Sequence, residues 1–480
     1  MQFLLQNNNK RILLKMDKFF RYLFKKKYPL CMNFIFKLIS KQTHYLQAVI
    51  SPLFMFSIIS WPVYAQNFDY DGIEPRLREL IATHSTINAS ENDITAATER
   101  AKASMGGWYP RINITSHYGT EYQDNFTGDN TSLVTRDLNL NLTQLLWDFG
   151  ATNAVINSAE LQLELVKTQS AITKDNLILR ALVAHINVVR SNIVNQFALK
   201  SENNIKKQAQ LENAMVSKGA GLSTNVLQAK VTLAGAQARR VQAQGALKLA
   251  INAYYTLFRK SPKDLEALEK LKLSFSILPP SVDEAISIAF INNRNLKAAF
   301  TGIDLVNAAI DISKAGFYPV FEVTGDAKYK KDIGGAVGFE KEYLGKLQFT
   351  YPFNLGLTSI NTLRASKNDA QAAVKRLSNL KHIIEEQVRS IWINYQTAVE
   401  IKQLLKNQAN IAGIFLELAR KERQLGKREL IEVLAGETNL INAQSDAASA
   451  ETDVLIAGLT LMSVLGQLNL DILPILIPKT

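Results

Sequence analysis

Alternation of period two and runs of period 3.6 take turns along this chain, and their order predicts its elements. From 111 to 118, Ile112, Ile114 and Tyr118 alternate with Arg111, Asn113, Thr115 and His117; from 137 to 143, Leu138, Leu140 and Leu142 alternate with Asn139, Asn141 and Thr143. The same pattern returns in Phe321, Val323 and Tyr329 against Glu322, Thr324, Asp326 and Lys328, and in Leu347, Phe349 and Tyr351 against Lys346, Gln348 and Thr350. Period two puts successive side chains on opposite faces, so these are amphipathic strands of about 9 to 11 residues. They form hairpins at 111–144 and 320–352, with polar loops expected at 120–133 and 330–342. After each hairpin the period becomes helical. Ala151 to Ser217 is 67 residues without proline, and Leu357 to Leu425 is 69. At 1.5 Å per residue each helix would be roughly 100 Å long. Turns at Gly219-Ala220-Gly221 and at Gly426 send return helices to about Phe258 and Gly466, giving helical hairpins at 151–258 and 357–466. Eight alanines between Ala229 and Ala253 permit close approach of the paired helices.

The pattern is written twice. Gly107-Trp108-Tyr109-Pro110 recurs as Gly316-Phe317-Tyr318-Pro319, and Ala89, Ile94 and Ala101 match Ala298, Ile303 and Ile310 at the same offset of 209. Gly219, Val226, Leu227 and Leu233 match Gly426, Val433, Leu434 and Leu440 at offset 207. A unit of that length is far longer than a solenoid repeat. The expected organisation is therefore a leader at 1–65, a first structural repeat at 66–270 and a second at 271–480.

Four strands cannot close on themselves, and an open sheet edge in lipid leaves backbone groups unsatisfied at several kcal/mol each. Closure must come from other copies of the chain. The apolar strand face would meet lipid and the Asn, Thr, Lys and Glu face a wet lumen, with Tyr118, Trp147, Tyr343 and Tyr351 as girdle residues. Two other readings stand beside this pore: a one-sided sheet over an ordinary soluble core, and a surface coiled-coil adhesin or scaffold without a lumen.

The formal charge of +12 changes little, because residues 1–48 carry ten Lys or Arg against Asp17 alone, which leaves 12 − 9 = +3 elsewhere. Nucleic acid is not an expected partner. An uncharged apolar block from Val49 to Ser60 precedes Val63-Tyr64-Ala65, the pattern of a secretory signal cleaved near Ala65, with Met32 an alternative start. Cys31, the only cysteine, lies in that leader. The mature chain thus lacks disulfides, thiolate metal sites and a cysteine to carry a lipid, and this disfavours a lipoprotein efflux branch. His84, His117, His185 and His382 lie far apart in sequence. Leu344-Gly345-Lys346-Leu347 lacks both the preceding glycine and the hydroxyl of a phosphate loop. No enzyme chemistry, cofactor or metal site is expected, and energy must come from elsewhere.

The tandem repeat, the Tyr109-Pro110 and Tyr318-Pro319 steps, Trp147-Asp148-Phe149-Gly150 before the first long helix, and the turn motifs at Lys218-Gly219 and Leu425-Gly426 together resemble the TolC-type outer-membrane efflux and secretion channels across the mature chain. The resemblance implies a mainly α fold with a membrane β-barrel: a homotrimer whose twelve-stranded barrel, four strands per chain, continues into a periplasmic tunnel of helical hairpins. It would be a passive exit duct in the outer membrane, working with a periplasmic adaptor and an inner-membrane ABC or proton-driven transporter in type I secretion or efflux. By position, Glu432 matches a carboxylate ring at the periplasmic constriction, Arg428 a gate arginine and Thr224 a gate hydroxyl. The second ring carboxylate falls on Ala435, the arginine's acidic partner on Asn225 and a gate tyrosine on Arg423. An Arg–Asn bond is weaker than an Arg–carboxylate fork, so the gate is expected to be differently wired. Gly219, Ala220, Gly221, Gly426 and Lys427 would form the tips presented to the adaptor.

Overall fold

A computed structural model describes residues 72–470 except 125, 127, 129, 263, 267, 273–277 and 354. The leader, Cys31, Met32 and the cleavage position at Ala65 lie outside the described residues, as do 471–480. The element order is α1 (Ile73–Thr83), α2 (Ser85–Ser104), β1 (Arg111–Gln123), β2 (Thr131–Trp147), α3 (Ala151–Ser217) and α4 (Ser223–Phe258), followed by α5 (Val282–Asn292), α6 (Arg294–Ala315), β3 (Val320–Lys331), β4 (Phe339–Thr350), α7 (Thr358–Gln424) and α8 (Leu430–Val464). Both long helices have 67 residues.

The strands form one antiparallel sheet in the order β1-β2-β3-β4, so β2 and β3 join the two hairpins while β1 and β4 remain edges. The register places Ile112 opposite Leu142, Ile114 opposite Leu140, Leu138 opposite Tyr329 and Val323 opposite Leu347. Directly opposed residues share a face, and this one is apolar and open: Ile114 is 66% and Tyr118 74% exposed. The strands of 12 to 17 residues run well into the expected loops. Thr120 to Gln123 and Thr131 to Val134 pair in unbroken register, because a polar residue on an alternating strand still contributes its backbone to the ladder. The true connections are 124–130 and 332–338. One register shift falls between Leu145 and Trp147. Simple alternation from Leu142 would turn Trp147 toward the polar face. The extra residue brings it opposite Phe321, beside an aromatic group of Phe149, Phe321 and Phe349.

The Trp-Asp-Phe-Gly motif shapes the entry to α3. Phe149 and Gly150 both have positive φ, +54° and +94°, turning the chain so that the Asp148 carboxylate accepts from Gly150 N (3.1 Å) and Thr152 N (2.7 Å) and satisfies first-turn donors. The Phe149 ring stacks on Tyr318 at 5.2 Å, linking the foot of the first hairpin to that of the second.

Each long helix takes two partners in succession. Near the sheet, α3 packs with α2 and α7 with α6, pinned by Ser90–Ser170 (3.0 Å) and Ser313–Ser366 (2.8 Å). Toward the turns, α3 pairs with α4 and α7 with α8, while α8 packs on α3. This leaves α4 and α7 flanking the four. Between the two halves lies the main core, where Ile73 and Leu77 of α1 and Ala285 and Ala289 of α5 meet Leu182 of α3, Val388 of α7 and Leu461 of α8. By length and composition α3 and α8 could cross a membrane; instead Leu177–Ile186 and Val454–Met462 are spent on this core.

Candidate functional site

Two regions carry the functional signal: the helical turns and the faces of the sheet. At the turns, α3 and α7 end alike. Gly219 (φ +74°) and Gly426 (φ +72°) are left-handed, Ala220 N donates to Met215 O and Lys427 N to Glu422 O (both 2.9 Å), and Gly219 N and Gly426 N donate to Val216 O and Arg423 O. These are Schellman caps, which need glycine because any Cβ disfavours that φ. Gly219, Ala220, Gly426 and Lys427 are exposed and Gly221 is half-buried.

Beside these turns lies a network of ion pairs. Arg428 donates from Nε to Glu422 Oε2 (2.6 Å) and from Nη1 to Glu432 Oε2 (2.5 Å), with its guanidinium over the Phe415 ring. The hydrogen bond to Glu422 is the main cause that raises the Arg428 pKa above its ordinary value; desolvation opposes it, and the charges of Glu422 and Glu432 and the Glu432 bond add to the rise. Arg423 donates to the Arg428 carbonyl (3.3 Å) and, across to the other hairpin, to Glu212 Oε1 (2.8 Å). Arg420 pairs with Glu437, which also accepts from Asn204 of α3 (3.4 Å). Glu212 and Glu437 are only 2% and 3% exposed, and among the described residues Glu212 Oε2 has no hydrogen-bond partner. Two buried carboxylates therefore tie α3, α7 and α8 together around an apolar seam of Ile205, Ala209, Leu430 and Leu434.

Of the positions read from the sequence, Arg423, Arg428 and Glu432 come together. Thr224 and Asn225 lie in the first turn of α4, and among the described residues their side chains make no hydrogen bond. Arg428 takes its carboxylates from its own hairpin, and Asn225 is not its partner in the single chain. Glu432 and Ala435 are both exposed on α8. Sequence reasoning missed Glu212, Glu437, Arg420 and Glu422. The signal was present: Glu437 interrupts the buried stripe Leu430, Leu434, Ile441, and Glu212 continues Ile205, Ala209. A carboxylate at a core position of a helix requires a partner.

On the sheet, the face opposite the apolar one is charged and internally paired. Lys328 and Lys330 both reach Glu342 (3.2 and 3.0 Å), Asn141 donates to Asp326 (2.8 Å), and His117 lies 3.1 Å from Asp137, its direct cross-strand partner. No group of three or more His, Asp or Glu side chains placed to hold a metal occurs among the described residues.

The profile of the outer membrane efflux protein family matches residues 77–258 and 285–467. The outer membrane efflux protein BepC of Brucella suis is 21% identical over 392 residues, covering 81% of this chain and 84% of that protein. The outer membrane protein TolC of Escherichia coli K12 is 23% identical, covering 80% of each. Among solved structures, the outer-membrane channel OprN superposes with a TM-score of 0.72 at 19% identity over 83% of this chain and 91% of that one.

Proposed function

Because the chain belongs to the outer membrane efflux protein family, we propose that three copies build a passive outer-membrane exit duct for a tripartite efflux or type I secretion system. One observation carries this: a four-stranded sheet apolar on one face and charged on the other, with both edges unpaired, continuous with helices roughly 100 Å long. Three such sheets give twelve strands. Joining β1 of one copy to β4 of the next removes every edge, and the charged face then lines the lumen. The same closure brings α4 of one copy beside α7 of the next. Both helices carry exposed apolar seams for that contact, Leu227, Val231, Val241 and Leu249 on α4 and Leu404, Ile411 and Leu418 on α7, the latter at strict seven-residue spacing and continued by Leu425 at the C-cap.

The turns then lie at the periplasmic end, where Glu432 lines the narrowest part and Arg428 holds it against Glu422. A periplasmic adaptor engages the tips at Gly219–Gly221 and Gly426–Lys427. It opens the duct by its greater affinity for the open arrangement, and an inner-membrane transporter supplies the energy. The leader directs export and is removed near Ala65.

Planar-bilayer recording tests this. The purified chain conducts, and Glu432→Gln alters conductance and cation preference, because removing the carboxylates lowers the local cation concentration. Negative-stain microscopy shows a threefold hollow cylinder. A non-conducting solid rod would sink the reading.

A further inference from the structure

The apolar face of the sheet is not uniformly apolar. Its outward positions on the four strands hold no Asp or Glu, whereas the opposite face holds Glu121, Asp137, Glu322, Asp326, Glu340 and Glu342. Yet three cations stand on the carboxylate-free face, all in the half nearest the hairpin tips: Arg136, Lys331 and Lys341. Arg136 and Lys331 are direct cross-strand partners, and Lys341 lies on the strand beyond, two residues from Phe339, which faces Lys331. Like charges set directly opposite destabilise a sheet unless an anion joins them.

Their surroundings supply rings rather than carboxylates. The Arg136 guanidinium lies 5.3 Å from the centre of the Tyr118 ring, Lys331 Nζ 4.9 Å from Phe339 and Lys341 Nζ 6.0 Å from Tyr329. Among the described residues the only ion pair of the three is the 3.9 Å contact of Lys331 with its chain neighbour Asp332. Lys328 and Lys330, one face away, are fully engaged by Glu342. The charges are thus segregated: on the lumen face Arg111, Lys328 and Lys330 have carboxylate partners within the chain, whereas the lipid-side cations are left for an external anion.

We propose that Arg136, Lys331 and Lys341 form a docking surface on the outside of the barrel for phosphate-bearing lipid headgroups of the outer leaflet. The rings seat the acyl–headgroup boundary and hold the cations at headgroup height. The proposal rests on the duct reading, which sets this face in lipid with the hairpin tips outward.

The test is binding of diphosphoryl lipid A to the detergent-solubilised full chain, with phosphatidylcholine as the neutral control and bilayer conductance of the same preparation as the check on assembly. Removing each cation is expected to weaken lipid A binding about fivefold, so R136Q/K331Q/K341Q binds on the order of a hundredfold more weakly. Its conductance and its behaviour with the control lipid stay unchanged, while R136K/K331R/K341R keeps wild-type affinity. Should the triple variant fail to assemble, Arg136→Gln alone carries the test, with its fivefold loss. Equal lipid A affinity of wild type and the glutamine variants, with conductance intact, would overturn the docking surface alone. A wild-type chain that does not conduct would overturn the duct and the surface with it.

Discussion

A Cβ on Gly466 would lie 2.4 Å from the Asn292 carbonyl oxygen, and the backbone there has φ +71°. The neighbouring Asn293 caps α6 by accepting from Asn295 N and Leu296 N, and its amide donates to Val464 O (2.8 Å). This locks the end of α8 to the α5–α6 joint. Gly466→Ala is expected to cost about 2 to 4 kcal/mol from strain and overpacking together, read as a lowered thermal midpoint. On α3, His185 is 1% exposed, and its Nε2 meets the Glu269 carbonyl at 2.8 Å. Burial is the main cause that lowers its pKa from the ordinary value, aided by Arg76 and opposed by the carbonyl bond. The unfolded chain therefore takes up the proton first. This contribution to stability is fully present above about pH 6.5 and declines as pH falls below it. Thermal midpoints of wild type should fall from pH 7 to 5 more steeply than those of His185→Gln. At the turns, Arg423→Ala strands the buried Glu212 carboxylate and should destabilise by about 3 kcal/mol. Arg423→Ala combined with Glu212→Leu should recover part of that loss, a coupling measurable as a double-mutant cycle.

Among the elements, the helices were the most legible in sequence. Proline-free helical periodicity bounded by glycine fixes α3, α4, α7 and α8 to within a residue or two, because 67 residues of consistent period leave little room for error. Strand identity was legible for the same reason, but strand ends were not: pairing in the ladder, and not polarity, decides where Thr120 to Gln123 belong. The bulge at Leu145–Trp147 was invisible, since it exists only relative to β3. The Glu212–Arg423 and Arg420–Glu437 pairs escaped because their partners lie on different helices, 211 residues apart in the first case. The α7 seam offers a test at this scale. Leu404→Glu with Ile411→Glu places charge on exposed positions that touch no core cluster, so helix content by circular dichroism should hold while the trimer fraction in detergent falls sharply.

In the whole molecule, the division of labour along α3 and α7 matters most. The half near the sheet is stapled to α2 and α6 by Ser–Ser contacts and by Arg294–Asp175 (2.5 Å), and a core of aliphatic side chains fills the middle. Toward the turns the apolar clusters shrink to a few residues apiece, and buried ions take over. Hydrogen exchange should therefore be slowest at the middle of α3 and fastest at the 218–222 and 425–429 turns. Motion confined to the turn end would leave the sheet undisturbed.

The unpaired edges of β1 and β4 have a consequence for heredity. A sheet that is finished only by its neighbours makes each chain's fate depend on the others synthesised beside it. A chain able to insert but defective at one edge would not be a silent passenger. It would be recruited into mixed rings and spoil its sound partners, so such an allele should be dominant over wild type. An allele that removes the chain altogether should be recessive.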